Sequence, residues 1–540
     1  MPPAPAPRNK NKEAFTLTEP LNFGRDVIDA HARSGGDRPA LYVVGPDDAT
    51  TIYSFKQIQA LSNQAVAALR AHGVAKGDRV LLVLGKHPAF WPTTIALLKL
   101  GAVPMPGTTQ LTARDLQYRL EASGARAAIV LTEIANRLPA SSADTLTLRL
   151  AVGTDPTPLG WHAFDPFALN EPADDDGNPT MADDPALIYF TSGTTGHPKM
   201  VLHNHTYPLA HRITAEQWIG LSDQDLHWNL SDTGWAKAAW SSLFGPWNVG
   251  AAIVVDSLTG KFRARDMLAL LSHHPVTSLC APPTIYRLLV QEDLSAYNLQ
   301  SLRLAVGAGE PLNPEVIAAF QRMTGLTIRD GYGQTETVLL VGNGPGAPVK
   351  PGSMGRAVAP FTIAVIDDNG VPLTGREGDI AVLTRPERPP GLFQEYVGDP
   401  AGTQSRYVGD WYITGDRAIQ DDDGYLWFVG RADDVIISAG YRIGPFEVES
   451  ALIEHPDVVE AAVVSSPDAV RGEVVKAFVV LREGVEGSEE LVSALQAHAR
   501  QTTAPYKYPR KIEFVQELPK TISGKIRRID LRAREWGSGG

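Results

Sequence analysis

Cysteine is almost absent from these 540 residues, and the single thiol, Cys280, rules out an internal disulfide and any sign of a cross-linked secreted scaffold. No apolar run approaches the roughly 18–20 residues that a membrane span requires. Positive charge is not in excess: 49 Lys and Arg against 61 Asp and Glu leave a formal −12. That balance argues against a general binder of nucleic acid or anionic membrane. Met1 to Lys12 is Pro-rich and lacks both the apolar core of a secretory signal and the Ser/Arg pattern of a transit peptide. Residues 1–20 therefore read as a disordered extension, and the chain as cytoplasmic.

What is present suits a large globular protein. The chain is 43% hydrophobic, and its length predicts three or four folding units at about 150 residues each. Ser54 caps a run whose apolar Ile58, Leu61, Ala65, Ala68 and Leu69 recur at helical period, closed by Gly73. Val80–Leu84 then reads as a strand buried on both faces. Similar short apolar runs recur at 127–131, 188–190, 251–255, 276–279 and 302–306, which predicts an α/β fold of layered sheets covered by helices. After about residue 345, short strands between Gly, Pro and Asp clusters predict a β-rich subdomain. From about Asp434 a small α+β segment follows. Between Arg500 and Arg534 it carries ten basic residues against Glu513, Glu517 and Asp530, a net +7 that leaves −19 elsewhere. A solvated basic face explains such a stretch, and so does a small basic lobe closing over a polyanion.

The strongest local signal is Thr191-Ser192-Gly193-Thr194-Thr195-Gly196-His197-Pro198-Lys199 after the apolar run 187–190. Backbone N–H groups, hydroxyls and one lysine packed this closely can surround phosphate oxygens. Pro198 separates the second glycine from the lysine, so the spacing of a P-loop kinase fails.

This loop resembles that of the adenylate-forming enzymes, the superfamily of acyl-CoA synthetases, adenylation domains and luciferases. Five further stretches match the same pattern in order: Gly309-Glu310-Pro311, Gly331 to Thr337 (GYGQTET), Tyr412 to Asp416 (YITGD), Gly430 to Asp434 (GRADD) and Pro519 to Lys525 (PKTISGK). The resemblance covers roughly residues 25–535. Ser231–Trp235, Tyr441–Pro445 and Ala504–Arg510 make the chain most similar to the medium-chain acyl-CoA synthetases.

The resemblance implies an N-terminal adenylation domain over 21–432 and a small mobile C-terminal lid over 433–540, with Asp433 as hinge. It implies two half-reactions: a carboxylate attacks the α-phosphate of ATP to give acyl-AMP and pyrophosphate, then coenzyme A takes the acyl group and AMP leaves. Glu336 is implied as the Mg²⁺ ligand. Thr335 and the Thr191–Lys199 loop are implied on phosphate oxygens, and Asp416 and Arg431 at the ribose. Gly309, Glu310, Pro311, Asp330, Gly331, Tyr332, Gly333 and Gln334 are implied around the nucleotide, with Tyr332 stacked on adenine. Lys525 is implied as the adenylation lysine, a flexible cation able to reach carboxylate and α-phosphate together. Ala439, Gly440 and Tyr441 are implied beside the pantetheine channel. Arg442, Arg471, Arg500, Tyr508, Pro509 and Arg510 are implied at the CoA phosphates, with Gln110 on the large lobe.

Gly333 stands where acetyl-CoA synthetases of this superfamily carry a tryptophan, so the sequence predicts an acyl pocket with room beyond acetate. Trp235, Trp240 and Leu339–Val341 are its expected walls, and a medium-length, branched or aromatic monocarboxylic acid its expected substrate. Two other readings are weighed. One is an adenylation enzyme that passes the acyl group to a carrier protein; the other is a nucleotide binder without catalysis. No nucleic acid and no membrane is expected as a partner, and the sequence sets no oligomeric state, a homodimer being one it allows.

Overall fold

The computed structural model describes residues 20–46, 48–138, 144–153, 156–169, 179–191, 198–256, 263–438, 441–468, 471–520 and 525–537. Several expectations lie outside them: the extension over 1–19, Ser192, Gly193, Thr194, Thr195 and Gly196 of the phosphate loop, Ala439, Gly440, and the side chain of Arg442.

Helix α1 (Phe55–Ala71) begins as expected. Ser54 Oγ accepts the N–H of Gln57, and the Gln57 side chain accepts the N–H of Ser54, a reciprocal box that satisfies two exposed donors. It packs on α2 (Phe90–Leu100), whose every residue is buried. Even Lys99 lies inside, its charge held by Asp29 at 2.7 Å, with Ser62 and Asn63 alongside. Burial on all sides reflects a helix trapped between sheets.

The first sheet is parallel, ordered β2 (Val103–Pro106), β1 (Arg79–Val83), β3 (Ala127–Leu131), β4 (Leu148–Val152). Next comes an antiparallel pair, β5 (Pro185–Thr191) and β6 (Lys199–Asn204), with the short strand Glu395–Tyr396 added to β6. The phosphate loop thus joins two antiparallel strands, whose register closes at Thr191 opposite Lys199. Helix α3 (Thr206–Thr214) follows at once.

The second sheet has 15 strands. Its parallel half runs β8 (Ala252–Asp256), β7 (Leu226–Asn229), β9 (Ser278–Ala281), β10 (Leu304–Ala308), β11 (Ile328–Tyr332). Helices α4 (Pro283–Leu289) and α5 (Pro314–Thr324) cover part of it. The β-rich region is the continuation of this sheet. Short strands at Val341–Gly342 and Gly355–Ala357 carry the ladder from β11 to the antiparallel β12 (Glu377–Leu383), β13 (Trp411–Gln420) and β14 (Tyr425–Arg431).

The chain ends in a separate five-stranded sheet. The strands are β15 (Ile436–Ser438), β16 (Tyr441–Ile443), β17 (Val458–Asp468), β18 (Gly472–Leu481) and β19 (Lys511–Phe514). Helices α6 (Pro445–Ile453), α7 (Glu489–Thr502) and α8 (Arg528–Trp536) accompany it, and it has its own apolar core around Val448, Leu452, Val463 and Val479. This C-terminal cap rests on the large body through Phe446 against Phe428, with ring centroids 6.3 Å apart, and through Asn313 Nδ2 donating to Ser450 Oγ at 2.9 Å. Among the described residues no helix is long and apolar enough to cross a membrane.

Candidate active site

Strands β10 and β11 end side by side at Ala308 and Tyr332, so Gly309–Pro311 and Gly333–Glu336 leave the sheet together at its carboxyl edge. That edge is where open α/β sheets hold ligands. Gly309 turns with φ +100°, a conformation that favours glycine. Strands β13 and β14 meet the same edge, and their register sets Asp416 opposite Arg431.

Asp416 is the polar centre. Tyr332 Oη donates to its Oδ2 at 2.7 Å and Gln334 Nε2 to the same atom at 2.6 Å, while Arg431 Nε stands 3.3 Å from Oδ1. Gln334 also donates to the Thr414 carbonyl at 2.9 Å. A carboxylate that accepts two side-chain hydrogen bonds beside a guanidinium group is held in one rotamer. Beneath it Asp330 is buried, and desolvation pushes its carboxyl up to about 8 although it accepts the N–H of Gly331.

The phosphate side is assembled by a residue the sequence did not flag. Tyr396 Oη donates to Glu336 Oε1 at 2.7 Å, and Lys199 Nζ lies 4.6 Å above the Tyr396 ring and 3.6 Å from Asp399. Strand pairing of Tyr396 with Val201 brings it there. The backbone of Thr335 is fixed by His203 Nε2 against its carbonyl at 2.8 Å. Among the described residues no three His, Cys, Asp or Glu side chains cluster to hold a metal. Glu336 is therefore a lone hard oxygen donor, and this suits a cation held mainly by phosphate oxygens and water.

Lys237 was also missed, although it follows the quoted Ser231–Trp235 segment directly. Its Nζ donates to the Ala308 carbonyl at 2.7 Å, and desolvation lowers its affinity for a proton. Lys525 is close enough for its charge to add to that lowering, as Glu310 and Asp330 are to oppose it. The charge of Lys525, on the cap, is therefore felt at Lys237 beside the strand ends of the body.

One expectation changes. Gly333 does not open free space: a Cβ there would lie 2.4 Å from Trp240 Cη2 and 2.5 Å from the Val338 carbonyl. The indole of Trp240 fills that volume, delivered by a π-helical turn at Ala239–Leu243. Leu339, Leu340 and Val341 are buried in the main core. Trp235 is half-buried, in a segment packed so tightly that a Cβ on Gly234 would meet Thr108 N at 2.1 Å. Exposed Gln110 bonds through its N–H to Thr108 Oγ1 beside that segment.

On the cap, Tyr441 stacks on Tyr506 with centroids 4.3 Å apart. Tyr508 lies between two guanidinium groups, Arg500 at 3.8 Å and Arg510 at 4.9 Å, with Arg510 Nη1 donating to its hydroxyl at 2.8 Å. Pro509 is buried between them in sequence. Exposed Arg471 precedes Gly472, which pairs with Ser438. Asp433 is exposed, 3.8 Å from Arg431.

Comparison with known proteins shows the family. The family model "AMP-binding enzyme" matches residues 28–397, and "AMP-binding enzyme C-terminal domain" matches residues 447–525. The chain is 46% identical to the acyl-coenzyme A synthetase ACSM3, mitochondrial, of Mus musculus, over 97% of this chain and 93% of that protein. It is 46% identical to ACSM5 of Homo sapiens, also described as a mitochondrial acyl-coenzyme A synthetase, over 96% and 92%. Among solved structures, the anthranilate CoA ligase AuaEII in complex with anthranoyl-AMP superposes with a TM-score of 0.88 at 30% identity, covering 97% of this chain and 98% of that one. A Brucella canis acyl-CoA synthetase gives 0.72 at 33% identity, covering 98% and 96%.

Proposed function

The chain belongs to the AMP-binding enzyme family and is an ATP-dependent, AMP-forming acid–CoA ligase, and we propose that its acid is a monocarboxylate of medium length, branched or aromatic. The observation that carries the residue assignments is the convergence of Tyr332, Gln334 and Arg431 on Asp416, at the carboxyl edge of the sheet.

In this reading the body is residues 21–432 and the lid 433–540. Asp416 accepts the ribose hydroxyls, and Tyr332, Gln334 and the neighbouring Arg431 keep it from turning away. Adenine lies by Gly309–Pro311 and Tyr332. Lys199 and the loop it closes take the phosphates. Glu336, which Tyr396 orients, would hold Mg²⁺, which would supply positive charge to offset that of the phosphates.

Adenylation brings two anions together, so its barrier is chiefly electrostatic and positional. A carboxylate oxygen of the acid attacks the α-phosphorus, the bond to the pyrophosphate oxygen breaks, and Lys525 neutralises charge on both partners. Turning the lid about Asp433 then withdraws Lys525 and brings Tyr441 and the Arg500–Tyr508–Arg510 group to the cleft. The CoA sulfur attacks the acyl carbonyl, its proton is lost, and AMP leaves as the C–O bond to phosphate breaks.

Trp240 under Gly333 bounds the acyl space with a flat apolar surface. Fit against apolar walls discriminates by only about 1–3 kcal/mol per methylene, so several acids should turn over. Residence in the cytoplasm is part of the same reading, on the single buried thiol, Cys280. The test is AMP and pyrophosphate release measured with acetate, hexanoate, isobutyrate, benzoate and malonate, with and without CoA. AMP release that needs both CoA and one of the three middle acids is the expected result. Acetate or malonate as the best substrate overturns the proposed acid. Acid-dependent ATP–pyrophosphate exchange without CoA-driven AMP release would favour transfer to a carrier protein.

A further inference from the structure

The last helix, α8, carries Arg528 and Arg532 one turn apart, and both reach the hinge. Arg528 grips Glu449 of α6 with a fork: Nη2 lies 2.7 Å from Oε2 and 2.9 Å from Oε1, and Nε lies 3.1 Å from Oε1. The same Glu449 Oε1 accepts the N–H of Val463 at 2.8 Å, so this carboxylate also ties α6 to β17. Glu449 is 5% exposed. Arg528 Nη1 stands 3.9 Å from Asp434 Oδ2, while Arg532 Nη1 stands 3.0 Å from Asp434 Oδ1 and donates to the carbonyl of Asp433. The hinge and α8 are therefore clamped together by two guanidinium groups.

The same cluster meets the body. Ser450, the residue after Glu449, accepts Asn313 Nδ2; Asn313 Oδ1 accepts Arg287 Nη1 at 3.2 Å; and Arg287 Nη2 pairs with Glu310 at 3.5 Å. Glu310 is near enough to strengthen the proton affinity of Arg528, together with Glu449 and Asp434. Glu310 itself adjoins Gly309, at the strand end beside which the charge of Lys525 is felt.

Arg528 follows Lys525 by three residues, a span of at most about 10 Å of chain. Fixing the guanidinium at Glu449 and Asp434 therefore fixes the base from which Lys525 extends. We propose that Arg528 is a positioning residue for adenylation, clamping the lysine segment to Glu449 and the hinge so that Lys525 meets the body beside Glu310. The role rests on the function proposed above. It is specific to the first half-reaction, because only that step uses Lys525. A misplacement of about 1 Å at a reacting group costs on the order of 100-fold in rate, which sets the size of the expected effect.

The experiment compares Arg528→Ala, Arg528→Lys and Glu449→Gln in the full-length chain. Acid-dependent ATP–pyrophosphate exchange reports the first half-reaction, and thioester formation from pre-made acyl-AMP and CoA reports the second. For Arg528→Ala, kcat of exchange should fall about 100-fold, while KM for ATP and acid and the thioester rate each stay within about threefold. Arg528→Lys keeps the charge without the fork and should regain about tenfold of that loss. If Arg528→Ala fails to fold, Glu449→Gln decides: the same split supports the role, and equal losses overturn it. Equal losses in both half-reactions, an effect confined to KM, or undiminished exchange overturn the role while leaving the ligase intact. A wild-type chain that shows no acid-dependent exchange overturns the functional reading, and this role with it.

Discussion

The two parts of the molecule prepare their site residues in opposite ways. In the body, Asp416, Gln334, Tyr332 and Glu336 are locked by neighbours before any ligand is considered: each makes a side-chain hydrogen bond of 2.7 Å or less. In the cap, the candidate CoA residues lean on one another at the surface, with Tyr441 52% and Tyr506 41% exposed. A hydrogen-bonded cluster around a buried carboxylate presents fixed charge at little reorganisation cost, as nucleotide binding and phosphoryl chemistry require. An exposed aromatic and guanidinium surface does little until it is turned toward a partner, as a swinging lid requires. Preorganisation thus belongs to the body, and the cap, the part proposed to move, carries side chains tolerant of solvent.

The largest expected break in this contrast is Lys525→Ala. It should lower acid-dependent ATP–pyrophosphate exchange by about 1000-fold or more, since a cation opposite developing charge in a water-poor cleft contributes several kcal/mol. Thioester formation from pre-made acyl-AMP should remain within about threefold, because the second pose does not use this lysine. Equal loss of both steps would show that the cap does not divide the two reactions.

Acid should distinguish the parts next. Burial lowers the proton affinity of His203, His205 and His227 in the body, to about 3, 4 and 3. Unfolded, each binds a proton near 6.5, so the folded body excludes protons that the unfolded chain accepts. The stability these neutral rings contribute is whole above pH 6.5 and is lost as pH falls toward their folded values, by about 1.4 kcal/mol per histidine per pH unit. His455 and His498 of the cap are half-buried. Calorimetric unfolding between about pH 7.5 and pH 5 should therefore show the body's transition moving to lower temperature. A body transition that does not move would mean that these rings accept protons in place.

Much of this was legible in the sequence, for a physical reason. Phosphate and ribose contacts need particular side chains on short loops after strands, so Thr191–Lys199, Gly331–Thr337 and Tyr412–Asp416 are local strings that can be read locally. The Ser54 cap and Gly73, which closes the α1 run at φ +80°, are local in the same sense. What escaped is packing between distant segments. Tyr396 reaches Glu336 only because its two-residue strand pairs with Val201. Lys237 matters because β10 ends beside it. Gly333 read as open space because a missing side chain looks like room, yet that room belongs to Trp240. The clamp of Arg528 and Arg532 on the hinge was hidden within a count of basic residues.

The smallest effect tests the exposed face of the cap. Arg510 is anchored through its backbone, its N–H donating to the Val475 carbonyl at 2.9 Å and its own carbonyl accepting Gln496 Nε2 at 3.3 Å. Among the described residues its guanidinium meets the Tyr508 hydroxyl and ring and no carboxylate. Removing it should therefore leave the fold and the first half-reaction untouched. One charge-assisted contact to a phosphate contributes about 1.5 kcal/mol, so Arg510→Ala should raise KM for CoA about tenfold in thioester formation, with exchange unchanged. Dephospho-CoA sharpens the reading. If Arg510 meets the 3′-phosphate, the variant should no longer discriminate between the two thiols, and an undiminished preference for CoA would move that phosphate to Arg471 or Arg500.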